Sequence, residues 1–141
     1  MSDEPSFPNV ITGEGYAAAH LDDLGEGYGF RRIRRGLGLE ALGANAIVLP
    51  PRYEAGAHLH ETQEELYFVH SGDIEIEFGD GSVVKLGPGG VARVDAPTIR
   101  RLRNVGQTDA TVVVVGGKDG YVGRDGKLPE GETRAGGPLD A

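Results

Sequence analysis

From Leu66 to Val115 the chain never sustains an apolar run for more than a few residues before a turn former interrupts it. The runs are Leu66–Val69, Ile74–Phe78, Val83–Leu86, Val91–Val94, Ile99–Leu102 and Thr111–Val115. Between them stand Ser71-Gly72-Asp73, Gly79-Asp80-Gly81, Gly87-Pro88-Gly89-Gly90, Asp95-Ala96-Pro97 and Asn104-Val105-Gly106. Segments this short cannot form the helices of a bundle, but they suit strands that recur every 8 to 12 residues or so in an antiparallel sandwich or barrel. Asp73-Ile74-Glu75-Ile76-Glu77-Phe78 alternates strictly, which directs the isoleucines and Phe78 inward and the glutamates toward water. An earlier strand is expected over Ala44–Leu49 and ends at Pro50-Pro51, because proline has no N–H for a ladder.

The flanks read differently. Residues 1–29 are expected to form an irregular arm, with Tyr16–Leu21 the one stretch resembling a helical turn. A strand is expected over Phe30–Arg34, a barrel over 30–116, and a Gly-rich tail or flap over 117–141. Tyr121, Val122 and Leu128 are possible anchors of that flap, and its last ten or so residues are expected to be mobile. With 141 residues, a single domain is expected.

Composition narrows the partners. Twenty-two acids against 14 Lys and Arg give a net charge of −8, which opposes nucleic acid and anionic membranes. No apolar stretch is long enough to span a bilayer, and the acidic N-terminus does not resemble a secretory signal. The absence of cysteine excludes thiolate metal sites and fits a cytoplasmic location. Arg31, Arg32, Arg34 and Arg35 form a basic cluster without aromatic neighbours for base stacking, so it reads as a solvated strand paired with nearby acids.

Three potential metal ligands gather in Gly56-Ala57-His58-Leu59-His60-Glu61-Thr62-Gln63-Glu64-Glu65. Residues two apart on a strand share a face, so His58 and His60 point the same way. If a turn at 61–64 leads into the next strand, a carboxylate at its start can converge on both imidazoles. Two histidines and one carboxylate leave coordination positions open for a substrate. Strand parity alone leaves Glu64 and Glu65 both open. His70 lies on the face opposite Glu65, and Tyr67 shares the Glu65 face as a candidate pocket residue.

This string resembles the first motif of the cupins: His58-x-His60, four residues, Glu65, six residues, Gly72. The resemblance selects Glu65, and a second cupin-like motif spans Gly89 to Asn104. It implies an all-β, double-stranded β-helix barrel (a jelly roll) of about eight strands. It also implies a metal set of His58, His60 and Glu65, a divalent Fe, Mn, Zn or Ni ion, and a small-molecule ligand. Cupin activities include dioxygenases, isomerases, epimerases and decarboxylases, and a homodimer is common at this size. Its apolar contact would be the Leu66 and Phe68 face.

The chain departs from the family at several positions. The family's early glycine falls at Arg52, and its Pro-x-Gly reads Asp95-Ala96-Pro97. The second-motif histidine falls on Arg100, and a guanidinium offers only donors. A divalent ion and a guanidinium about 4 Å apart repel by roughly 8 kcal/mol at an effective dielectric near 20. Two arrangements follow. Either the metal binds and Arg100 turns aside or anchors an anionic substrate, or Arg100 forms a bidentate pair with Glu65 in a metal-free binding pocket. Arg101 and Arg103 are expected to face solvent, and Asn104 to satisfy a local turn.

Overall fold

The computed structural model of the chain describes residues 7–132 and 136–140. It opens with a hairpin, β1 (Ile11–Gly13) and β2 (Tyr16–Ala18), followed by a 3-10 turn at Leu21–Asp23. The helical turn expected over Tyr16–Leu21 is therefore a strand edge followed by a different turn. Next come β3 (Gly29–Arg31) and a five-residue helix, α1 (Ile33–Leu37). The strand expected over Phe30–Arg34 thus stops at Arg31. Gly38 then closes α1 in the left-handed region (φ 73°), a conformation that suits glycine at a helix C-terminus.

The barrel is built from β4 (Gly43–Leu49), β5 (Tyr53–Glu54), β6 (Leu59–His60), β7 (Glu64–Ser71) and β8 (Ile74–Phe78). It continues through β9 (Val83–Leu86), β10 (Val91–Val94), β11 (Arg100–Asn104) and β12 (Ala110–Gly117). Two short strands complete the order, β13 (Gly126–Lys127) and β14 (Gly137–Pro138). One five-stranded sheet runs β10-β7-β12-β4-β3 and the other β14-β5-β11-β8-β9, with every strand pair antiparallel. Among the described residues no helix is long and apolar enough to cross a membrane.

Alternation places the core between the sheets. Along β7 the odd positions Glu65, Tyr67 and Val69 are buried, whereas Glu64, Leu66, Phe68 and His70 are exposed. Ile74 and Ile76 of β8, Leu102 of β11, and Ala110 and Val112 of β12 meet Val69 and Leu49 inside. The β7–β8 turn requires Gly72. Its φ is +88°, and a Cβ there would lie 2.5 Å from the Ala110 Cβ.

The C-terminal segment is tied to the barrel at two places. β13 pairs with β6, and β14 pairs with β5. Leu139 N–H donates to the Arg52 carbonyl, and Asp140 pairs with the Arg52 guanidinium at 3.1 Å. Of the stretch expected to be mobile, residues 136–140 are held this way, while 133–135 and 141 lie outside the described residues.

Candidate metal centre

β6 ends in His60, and a tight turn at 61–63 brings the chain back into β7 at Glu64. His58 precedes β6 and forms an isolated antiparallel bridge with Arg100, the first residue of β11. The turn thus delivers Glu65 to the side of the barrel where the His58 and His60 rings already sit. The His60 Nε2 lies 3.1 Å and the His58 Nε2 3.8 Å from the same Glu65 Oε1. The two rings meet edge to face, with centroids 5.3 Å apart. One ligand atom from each residue falls within 4.8 Å of the others. An ion with bonds of about 2 Å holds tetrahedral ligand atoms about 3.3 Å apart, so small side-chain rotations suffice to gather these three. The donor set and spacing fit a divalent metal.

Glu65 is the hub of the site. Burial pushes its carboxyl up, but the His58, His60 and Tyr67 side chains outweigh that effect and hold it well below the usual carboxylate range. The Tyr67 hydroxyl donates to Oε1 at 2.7 Å. Burial first, and then the Glu65 charge, pushes the Tyr67 phenol far up, so Tyr67 acts as a proton-holding donor. Tyr67 lines the cavity, with its hydroxyl engaged by Glu65.

Arg100 reaches the same oxygen from behind. It is fully buried, and its Nη2 lies 3.5 Å from Glu65 Oε1. Its Nη1 donates to the carbonyls of Thr98 (2.9 Å) and Ala96 (3.3 Å), and its Nη2 to that of Asp95 (3.4 Å). The bidentate fork considered from the sequence is replaced by one long contact, because the turn at 95–98 offers the guanidinium closer carbonyl acceptors. Arg100 is not among the residues lining the cavity. Arg101 and Arg103 face outward, as their alternation with Leu102 predicts, and there bind Glu54, Glu77 and Glu132. Asn104 is buried and bonds the carbonyls of Leu49, Pro50 and Thr108.

Two further residues complete the site without a signal in the motif itself. The Gln63 Nε2 lies 3.1 Å from His60 Nδ1, and Asp125 Oδ2 lies 3.6 Å from the same nitrogen. Asp125 also accepts the backbone N–H groups of Thr62 and Gln63, at 2.9 and 2.7 Å. Burial raises its carboxyl, and these amides overcome that to hold it lowered. Asp125 therefore pins the turn between the histidines and Glu65 from a segment 60 residues downstream of Glu65. Nothing local announces it. Gln63 lies on the local turn three residues after His60, so its spacing is the one signal that could have pointed to it.

These side chains open into a cavity of about 860 Å³ walled by Ile47, Leu49, Tyr53, Ala55, Leu102 and Val114. Two antiparallel sheets closed over an apolar interior, with two imidazoles and a carboxylate at one side, define a double-stranded β-helix barrel with a metal-competent pocket. Residues 46–116 match the family described as the cupin domain, and the chain belongs to the cupins. No curated protein matches it.

Among solved structures, it is similar to an uncharacterised conserved protein with a double-stranded β-helix domain from Klebsiella pneumoniae. That likeness has a TM-score of 0.66 and 20% identity, covering 80% of this chain and 96% of that one. It is also similar to the DMSP lyase DddQ from Ruegeria pomeroyi, with a TM-score of 0.56 and 24% identity, covering 64% of this chain and 45% of that one. The cupin domain of Cnp3 from Schizosaccharomyces pombe aligns with a TM-score of 0.53 at 15% identity, covering 56% of this chain and 57% of that one. The chain thus spans less than half the length of the DMSP lyase. At these identities the likeness shows the fold.

Proposed function

We propose that the chain binds one divalent metal ion through His58, His60 and Glu65 and uses it to hold or transform a small molecule in the barrel cavity. The observation that carries this reading is the convergence of both Nε2 atoms on Glu65 Oε1, at 3.1 and 3.8 Å, beside an open cavity. A bound Fe, Mn, Zn or Ni ion would supply Lewis acidity to a ligand oxygen. The chain's own residues prepare the site. Tyr67 and Arg100 keep Glu65 ionised and oriented, while Gln63 and Asp125 fix the His60 ring. Arg100 acts here through Glu65, and apolar side chains such as Ile47, Leu102 and Val114 wall the cavity beside it.

A second reading has its own support. Arg100, Tyr67 and His60 together already satisfy Glu65, so the cavity can also serve as a metal-free pocket for a small ligand. Elemental analysis of protein purified without chelators, before and after reconstitution, separates the two. The metal reading expects about one ion per chain, lost in His58→Ala and His60→Ala with the circular dichroism spectrum unchanged. Metal that stays substoichiometric after reconstitution supports the metal-free pocket. We also propose a homodimer through the exposed apolar side chains Leu66, Phe68 and Val91, the last two of which are register partners on β7 and β10.

A further inference from the structure

In a chain with 22 acids and a net charge of −8, a cation without an acidic partner stands out. Among the described residues Arg32, Arg34, Arg35, Lys118 and Arg124 have no carboxylate within 4.0 Å, whereas the other described Lys and Arg side chains do. All four of those arginines line the cavity that holds His58, His60 and Glu65, and Lys118 does not. Arg32, Arg34 and Arg35 come from the start and body of α1, and Arg124 from the strap that leads into β13.

The two acids that line the same cavity are engaged. Glu65 is held by His60, Tyr67 and Arg100, and Asp125 by the amides of Thr62 and Gln63. Arg34 is held in place by its guanidinium, which stacks 4.0 Å from the Tyr121 ring centroid and leaves its N–H edge free to bond a ligand. Arg124 has a φ of 54°, a left-handed conformation that is strained for a side chain of this size. Four like charges around one cleft repel one another until an anion enters, and the low-dielectric walls focus their field.

We propose that Arg32, Arg34, Arg35 and Arg124 form an anion-binding rim. It captures an oxyanion, carboxylate or phosphate, at one end of a small organic ligand whose other end reaches the His58–His60–Glu65 group. The proposal rests on the reading of the cavity as a small-ligand site. Guanidinium forks match both oxyanions, whereas an uncharged sugar would leave the four charges uncompensated.

Calorimetric titration tests it with succinate and glycerol 3-phosphate against their neutral counterparts succinamide and glycerol, on Co²⁺-loaded and on chelator-treated protein. At least one anion binds saturably and its neutral counterpart does not, and the tighter of the two anions tells carboxylate from phosphate. Arg124→Gln weakens that anion about tenfold and the Arg32→Gln/Arg35→Gln pair about a hundredfold, at roughly tenfold for each charged hydrogen-bonding group. Lys118→Gln leaves it unchanged, and the rim variants keep wild-type Co²⁺ affinity. Equal binding of the neutral counterparts, absence of binding by both anions, or anion binding untouched by the arginine substitutions overturns the rim. Failure to take up Co²⁺ overturns the metal reading alone, because the chelator-treated arm still reports on the rim.

Discussion

His60 turns one nitrogen to Glu65 and leaves the other between two partners of opposite character. Gln63 offers a donor to Nδ1, which suits a ring that carries its proton on Nε2 and faces Glu65 without metal. Asp125 offers only acceptors, which suits a ring that gives Nε2 to a metal and keeps its proton on Nδ1. Asp125→Asn is therefore expected to lower metal affinity by about 10- to 100-fold, measured by competition with a chromophoric chelator. Arg100 makes a second residue-scale prediction. Arg100→Met leaves a buried carboxylate and three carbonyls short of a donor, so urea denaturation should show a loss of about 3 kcal/mol. Metal affinity should rise, because a positive charge leaves the neighbourhood of the ion. An unchanged stability would mean that Arg100 does not hold Glu65.

The His58–His60–Glu65 group was legible because its spacing is local: parity pairs His58 with His60, and the cupin-like string selects Glu65 over Glu64. Asp125 was not, since a contact closed by the return of the chain leaves no mark in the spacing of either segment. Arg52 shows a third case. It stands where the family has glycine, and its φ of 53° is the conformation that glycine adopts freely. Its bonds to the Val105 carbonyl and Asp140 accompany that strain.

At the scale of elements, β11 shows how one strand serves two faces. Arg100, Leu102 and Asn104 point inward, while Arg101 and Arg103 cross the outer face to Glu54 of β5 at 2.8 and 2.7 Å. The Arg103 hydrogen bond, with the charges of Arg101 and Arg103, holds the Glu54 carboxyl below its ordinary value against the opposing effect of burial. A lowered folded-state value means that the stabilisation is complete above the unfolded value of about 4.3 and disappears as pH falls through the folded one. Glu54→Gln should thus cost about 1 kcal/mol at pH 7, with the gap to wild type closing in acid denaturation below about pH 4. A gap that persists at low pH would show that packing, not charge, carries the effect.

Alternation made this strand readable in advance, apart from its outer partners. The strand expected over Phe30–Arg34 runs past β3 into the first residues of α1, because a five-residue helix gives less than two turns of periodicity and Phe30 with Ile33 fits either pattern. That misreading also hid the arginines, which a strand would have carried into solvent and a helix brings to the cavity.

For the whole molecule, the all-β class and its turns were written in the Gly-Pro punctuation, and the pairing of the tail was not. β13 and β14 are two residues each, below the length at which alternation can be recognised, yet β13 pairs with the strand that carries His60. The outer sheet face yields a prediction at this scale. Leu66, Phe68 and Val91 are 46%, 38% and 60% exposed, an apolar surface that a second copy of the chain would cover. Sedimentation equilibrium should give a dimer, and Leu66→Lys with Val91→Lys should give a folded monomer. A wild-type monomer at high micromolar concentration would refute the dimer and leave the cavity untouched.

The proposed metal centre is tested most directly by titrating Co²⁺ into chelator-treated protein and following the visible d–d absorption. Wild-type protein should saturate at about one equivalent with a spectrum of mixed nitrogen and oxygen ligation, and His60→Ala should show no such band. A titration without saturation, or an identical spectrum from His60→Ala, would contradict the assignment of His58, His60 and Glu65 as ligands.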